Sequence, residues 1–153
     1  MKQRGFTLIE LMVAVAIFAV VSAIAIPLYT QYSERGYRTE LTADLMNCAQ
    51  ALERFNAVNF TYVGSMSNDG DPEADEGSVA GPVGIDICNP ISVQQGRYAI
   101  TGAVTGNTYV LTAVGAGPMA DTGDLTLDHA GNRTWDENDN GNIDTDEDDW
   151  EEN

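Results

Sequence analysis

The sequence predicts an α+β fold, in which one long N-terminal helix lies on a small antiparallel β-sheet. Three observations carry that prediction. From Leu11 to Leu28 the chain is apolar and uncharged, and Ser22 is the only hydroxylic residue in it. Behind this run, Leu41, Leu45, Cys48, Leu52 and Phe55 recur at spacings of four, three, four and three, which is one stripe of a helix. Beyond residue 95 come segments rich in β-branched and aromatic residues, separated by short turn sequences.

The helix begins with a membrane-length segment. Phe6 to Leu28 is 23 residues, about 34 Å as a helix and enough for a hydrocarbon core of ~30 Å. Lys2 and Arg4 precede the run and no base follows until Arg35, so the N-terminus is expected on the cytoplasmic side. A secretory signal would be cut after its apolar region. Here the short basic leader, residues 1–5, lies before it. Glu10 is the anomaly. A carboxylate at mid-bilayer costs roughly 2.5–3.5 kcal/mol, less near the interface. Such a residue reads as functional by default, the alternative being a glutamate that snorkels to the interface.

Past the membrane the helix should continue. Pro27 removes one hydrogen bond and should kink or loosen the helix without ending it, and Gly36 is a second soft point. Glu40, Asp44, Gln50, Glu53 and Arg54 occupy the faces away from the apolar stripe. Gly64 to Pro82 contains glycines, serines, two prolines and five acids, and reads as a loop. Gly96 to Thr101 and Thr108 to Val114 read as an antiparallel hairpin turning at Thr105-Gly106-Asn107. Leu125 to Asp128 is a third strand, His129 to Asn132 a turn, and Arg133 to Trp135 the return.

Gly5 followed by Phe6-Thr7-Leu8-Ile9-Glu10-Leu11 resembles the class III signal of bacterial type IV prepilins and pseudopilins. "GDLTLDHAGNRTW" is similar to the closing strand of minor pilins. The resemblance implies a pilin fold and cleavage after Gly5 by a prepilin peptidase. It implies N-methylation of the new terminus, Phe6, and pairing of Glu10 with the N-terminal amine of a neighbouring subunit. A buried carboxylate paired with an amine offsets much of its desolvation cost. The implied organisation is a leader (1–5), a transmembrane and filament-core helix (6–33) and a globular head (34–153). The implied partners are other pilins in a homo- or hetero-oligomeric filament, the peptidase and an inner-membrane assembly machinery. The implied course is from the inner membrane, with the head in the periplasm, to an extracellular pilus. A type II secretion pseudopilin would share all these features.

The charge is −17, and loss of Lys2 and Arg4 with the leader leaves five bases against 24 acids. Such a surface is not expected to bind nucleic acid through its own field. Cys48 and Cys88 depart from the commonest pilin pattern, in which a disulfide brackets the C-terminal segment. An even count in an exported domain favours a Cys48–Cys88 bridge over two buried thiols.

The C-terminal stretch "DENDNGNIDTDE" places Asp136, Asn138, Asn140, Asn142, Asp144 and Glu147 at positions 1, 3, 5, 7, 9 and 12 of an EF-hand-type loop. Gly141 falls at position 6. Alternate oxygens around a tight turn suit calcium, a hard cation. Ile143 is expected to anchor the loop. The alternative is a solvated acidic tail. The flanks are not those of a true EF-hand, since a strand precedes the loop. The cluster from Asp69 to Glu76 lacks such spacing and reads as solvated loop. His129, the sole histidine, sits in a turn without a nucleophile–base partner, so no enzyme is expected.

Overall fold

A computed structural model describes residues 6–67, 73–144 and 149–150. Gly5, Glu147 and part of the cluster from Asp69 to Glu76 lie outside the described residues. The chain divides into two compact units, the first ending at Gly36 and the second beginning at Tyr37.

Helix α1 runs from Leu8 to Asn59, and Pro27 lies inside it without ending it. Its first part is apolar on every face. Side chains from Leu8 to Leu28 that are large and hydrophobic are 53–76% exposed, and this segment is long and apolar enough to cross a membrane.

In the second unit the helical stripe meets a five-stranded antiparallel sheet of order β1-β2-β3-β4-β5. The strands are β1 (Ala80–Pro82), β2 (Tyr98–Val104), β3 (Tyr109–Gly115), β4 (Leu125–Asp128) and β5 (Arg133–Trp135). Leu41, Leu45, Cys48 and Leu52 are buried with Tyr98, Ile100, Leu111, Leu125, Leu127 and Trp135 in one core. Phe55, the last stripe residue, is half-buried. The hairpin pairs Tyr98 with Gly115 and Val104 with Tyr109, so β2 continues three residues past the expected end at Thr101. Thr105 accounts for the turn: its N–H donates to the Thr108 carbonyl at 2.8 Å and its hydroxyl accepts from the Thr108 N–H.

Among the described residues of the expected loop from Gly64 to Pro82, some take regular or buried positions. Ala80–Pro82 forms β1 against β2, and Met66 is fully buried. Gly102 makes room for it, because a Cβ there would lie 2.6 Å from Met66 Cε. The short helix α2 (Ile91–Gln94) was also unforeseen.

Asp44 corrects the helical-face reading. Expected on the exposed side, it is 7% exposed. Its Oδ2 accepts from the Ser92 N–H at 2.8 Å and the Ser92 hydroxyl at 2.7 Å. Pro90, at the N-cap of α2, has no side-chain oxygen to offer, so α1 caps α2 instead. Asp44→Ala should destabilise the head by about 3 kcal/mol, since two buried donors lose a charged acceptor. Asp44→Asn, which keeps an acceptor oxygen, should lose less than half of that. Urea unfolding of the three heads checks the order.

Candidate functional site

Two clusters hold the residues singled out by the sequence, one in each unit. The first is the N-terminal turn of α1. The Thr7 N–H and hydroxyl donate to Glu10 Oε2 at 3.0 and 2.9 Å, and the Glu10 N–H donates to the Thr7 hydroxyl at 3.3 Å. This reciprocal pattern is a capping box, which satisfies donors that a helix N-terminus leaves without partners. Glu10 therefore has a partner within its own chain. The signal for it in the sequence is the Thr-x-x-Glu spacing from Thr7 to Glu10. Around Glu10 the helix surface is apolar, with Phe6, Ile9, Val13, Ala14 and Ile17 forming a shallow groove.

The second cluster is the loop from Asp136 onward. Asp136 is 4% exposed, and its two carboxylate oxygens accept from the N–H groups of Asn140 at 3.0 Å and Gly141 at 2.7 Å. The Asn138 and Asn140 side-chain oxygens accept from the N–H groups of Asn140 and Asn142. Both of those side-chain amides also reach Asp144 Oδ2, at 3.2 and 3.3 Å. The side chains at positions 3 and 5 thus meet that at position 9 through their amide nitrogens, while the carboxylate at position 1 holds the backbone of positions 5 and 6. Gly141 at φ 78° makes the turn and Asp139 at φ 54° follows the same left-handed course, which aspartate tolerates. Asn142 has its side chain on Asn140, leaving its backbone carbonyl as the available ligand. Ile143 is 46% exposed and does not anchor the loop.

Two tryptophans anchor it instead. Trp135 Nε1–H donates to the Thr122 carbonyl at 2.9 Å, and Trp150 Nε1–H to the Thr126 carbonyl at 3.1 Å. Arg133 lies 5.0 Å over the Trp150 ring. Nearby, burial pushes the Asp124 carboxyl above its ordinary range, and the charges of Asp139 and Asp136 add to this. The donors present are oxygens of carboxylates and amides, which fit a hard cation. Among the described residues no group of three or more His, Cys, Asp or Glu could hold a metal. At the ligand positions of the described loop stand two carboxylates, Asp136 and Asp144, and Glu147 lies outside the described residues.

Cys48 and Cys88 form a disulfide with their Cα atoms 5.2 Å apart. His129 is engaged structurally: its N–H donates to the Tyr109 carbonyl, and its ring meets that of Tyr109 edge-on at 6.4 Å.

A helix exposed along its apolar half and a head whose sheet packs on the other half define a helix-anchored α+β protein. The family comparisons match both parts. The prokaryotic N-terminal methylation motif matches residues 1–26. The family described as type IV minor pilin ComP, DNA uptake sequence receptor, matches residues 27–126. Prepilin peptidase-dependent protein D of Escherichia coli K12 is 32% identical over 72% of this chain and 73% of its own length. Fimbrial protein Q of Moraxella bovis is 30% identical over 67% of this chain and 66% of its own. Type IV major fimbrial protein FimA of Dichelobacter nodosus is 38% identical over 59% and 64%. No solved structure matches. The chain belongs to the type IV pilin family.

Proposed function

We propose that this chain is a structural subunit of a type IV pilus, cut after Gly5, methylated at Phe6 and assembled through its N-terminal helix. The observation that carries the reading is the apolar surface of α1, whose large side chains stay more than half exposed through Leu28. Such a surface must be covered, by lipid before assembly and by other copies after it. The name of the Escherichia coli relative, prepilin peptidase-dependent, supports processing after Gly5. The relatives named above are fimbrial or peptidase-dependent proteins, and we assign no enzymatic activity. Gly5→Glu should leave an unprocessed precursor and bare cells. Mass spectrometry of sheared filaments should find Phe6 as the methylated first residue; retained Met1 in filaments would refute processing. Electron microscopy of cells with and without the gene tests the filament itself.

The loop from Asp136 to Glu147 is proposed to bind calcium through Asp136, Asn138, Asn140, Asp144, Glu147 and the Asn142 carbonyl. Bound calcium would supply a cross-link of the C-terminal segment. With three ionised ligands the affinity should be weak, on the order of 10⁻⁵ to 10⁻³ M. At 100 times the dissociation constant, binding stabilises by about 2.7 kcal/mol, or about 10 °C for a head of this size. Glu147→Gln should remove most of the gain and Asp75→Asn none of it. Magnesium should substitute poorly. A calorimetric titration without heat, and a melting point indifferent to chelator, would leave only an acidic tail.

The matched family's description names a DNA receptor, and we do not carry that to this chain. DNA affinity rests largely on phosphate neutralisation, and the charge here is −17. Arg38, Arg97 and Arg133 lie over the rings of Trp135, Tyr37 and Trp150, and Arg97 also pairs with Glu40 at 2.6 Å. A type II secretion pseudopilin is the second reading, since it would share the processing signal, the apolar helix and the head. A secretion defect without loss of surface pili would select it.

A further inference from the structure

Phe60 carries two unfavourable features at once. It follows the last residue of α1, and its N–H closes the helix on the Asn56 carbonyl at 2.7 Å. Its φ is 58°, the left-handed conformation that helix ends normally assign to glycine. For a bulky residue that conformation is an outlier, and such strain persists where something over-determines it. Yet among the described residues nothing packs on it to do so, since the side chain is 86% exposed. Val58 beside it is 76% exposed. The chain thus holds an aromatic knob in solvent.

Elsewhere on the same unit is a hole. Pro82, Val83, Ile85, Pro90, Val93 and Ile100 line an apolar groove of about 190 Å³ that also touches Cys88. Ile85 and Val93 are 45% and 38% exposed at its mouth. A cavity of about 150 Å³ with such a lining accepts benzene, so the groove has room for a phenyl ring.

Knob and hole lie at different heights. Cys88 at the groove is bonded to Cys48, and α1 rises about 18 Å between Cys48 and Phe60. Within one head the ring and the groove therefore belong to separate patches. In parallel copies a two-fold axis along the helices would leave knob and hole out of register. Among parallel copies, as in a filament, a displacement along the helix brings them together, and a contact of that kind is head-to-tail and propagates as an open helical filament.

We propose that Phe60 of one copy inserts into the groove between β1, β2 and α2 of a second copy, as a repeating contact between heads. The inference rests on the filament reading above. It accounts for the strain, the exposure and the unfilled groove together.

The test places the photoreactive residue p-benzoyl-phenylalanine at position 60 of the full chain and irradiates filaments on cells. The expected product is a ladder of multimers whose cross-linked peptide contains residues from 82 to 100 of another copy. Phe60→Gly should reduce filament number at least tenfold while leaving the melting point of the head unchanged or higher, since glycine relieves the left-handed strain. A residue with a merely structural role would lower both. Cross-links to any other segment or pilin, or normal filament number in Phe60→Gly, would overturn the contact and leave the filament reading intact. Absence of filaments from the wild-type chain would overturn that reading and this contact with it.

Discussion

Glu10→Val should leave a subunit that inserts, is cleaved and accumulates, yet builds almost no filament. Removing the carboxylate makes the span more apolar, so insertion does not suffer. If Glu10 pairs with a neighbouring subunit's N-terminal amine, as the pilin resemblance implies, what is lost is that amine's partner. Leaving one member of a buried ion pair alone costs about 3–5 kcal/mol, and each 1.4 kcal/mol is about tenfold in association. Filament number should fall by two orders of magnitude or more. The capping box complicates this, because Glu10 also accepts from the Thr7 N–H and hydroxyl. Glu10→Gln separates the two roles, since glutamine serves as the third residue of a capping box but carries no charge. Counting filaments by electron microscopy should find the Gln variant as defective as the Val variant. Normal filaments in Gln with few in Val would reduce Glu10 to a helix cap.

The second large effect belongs to the disulfide. Cys48 and Cys88 are 40 residues apart in sequence, and closing a loop of that length stabilises by roughly 4 kcal/mol through the unfolded chain's entropy. Replacing both cysteines with alanine should lower the melting temperature of the head by about 15 °C. Reduction of the wild type should produce a similar fall, and reductant should not affect the double variant. A melting point within roughly two or three degrees of wild type, about the effect of one surface substitution, would show that Asp44–Ser92 and the core already hold this corner closed. That corner is where the bridge, the Asp44 cap of α2 and the proposed docking groove meet.

Much of this molecule was legible because its signals are periodic and local. The apolar run, the stripe Leu41-Leu45-Cys48-Leu52, the hairpin and the return from Leu125 to Trp135 each follow from spacing within one element. Helix and sheet periods expose the buried face wherever a segment packs regularly. The turn at Gly141, with the side-chain oxygens of Asp136, Asn138 and Asn140 accepting backbone N–H groups around it, was legible for the same reason, since it is a local pattern around one glycine. The Thr7-x-x-Glu10 cap is local in the same way, its two partners lying three residues apart.

Long-range decisions were beyond the sequence. Ala80-Gly81-Pro82 has no strand propensity and becomes β1 only because β2 offers an open edge. Asp44 looks like a surface residue on a helical wheel, and only the approach of Ser92 from 48 residues away in sequence gives its carboxylate a buried role. Met66 fills the space left by Gly102, and Trp150 reaches back to Thr126; no window of sequence contains either pair. The sequence by itself determined where this chain is apolar, where it turns and which residues could meet a membrane, an amine or a cation. Tertiary structure alone decided which polar groups are buried and satisfied and where a groove remains open, because those depend on contacts between segments that only the closed fold brings together.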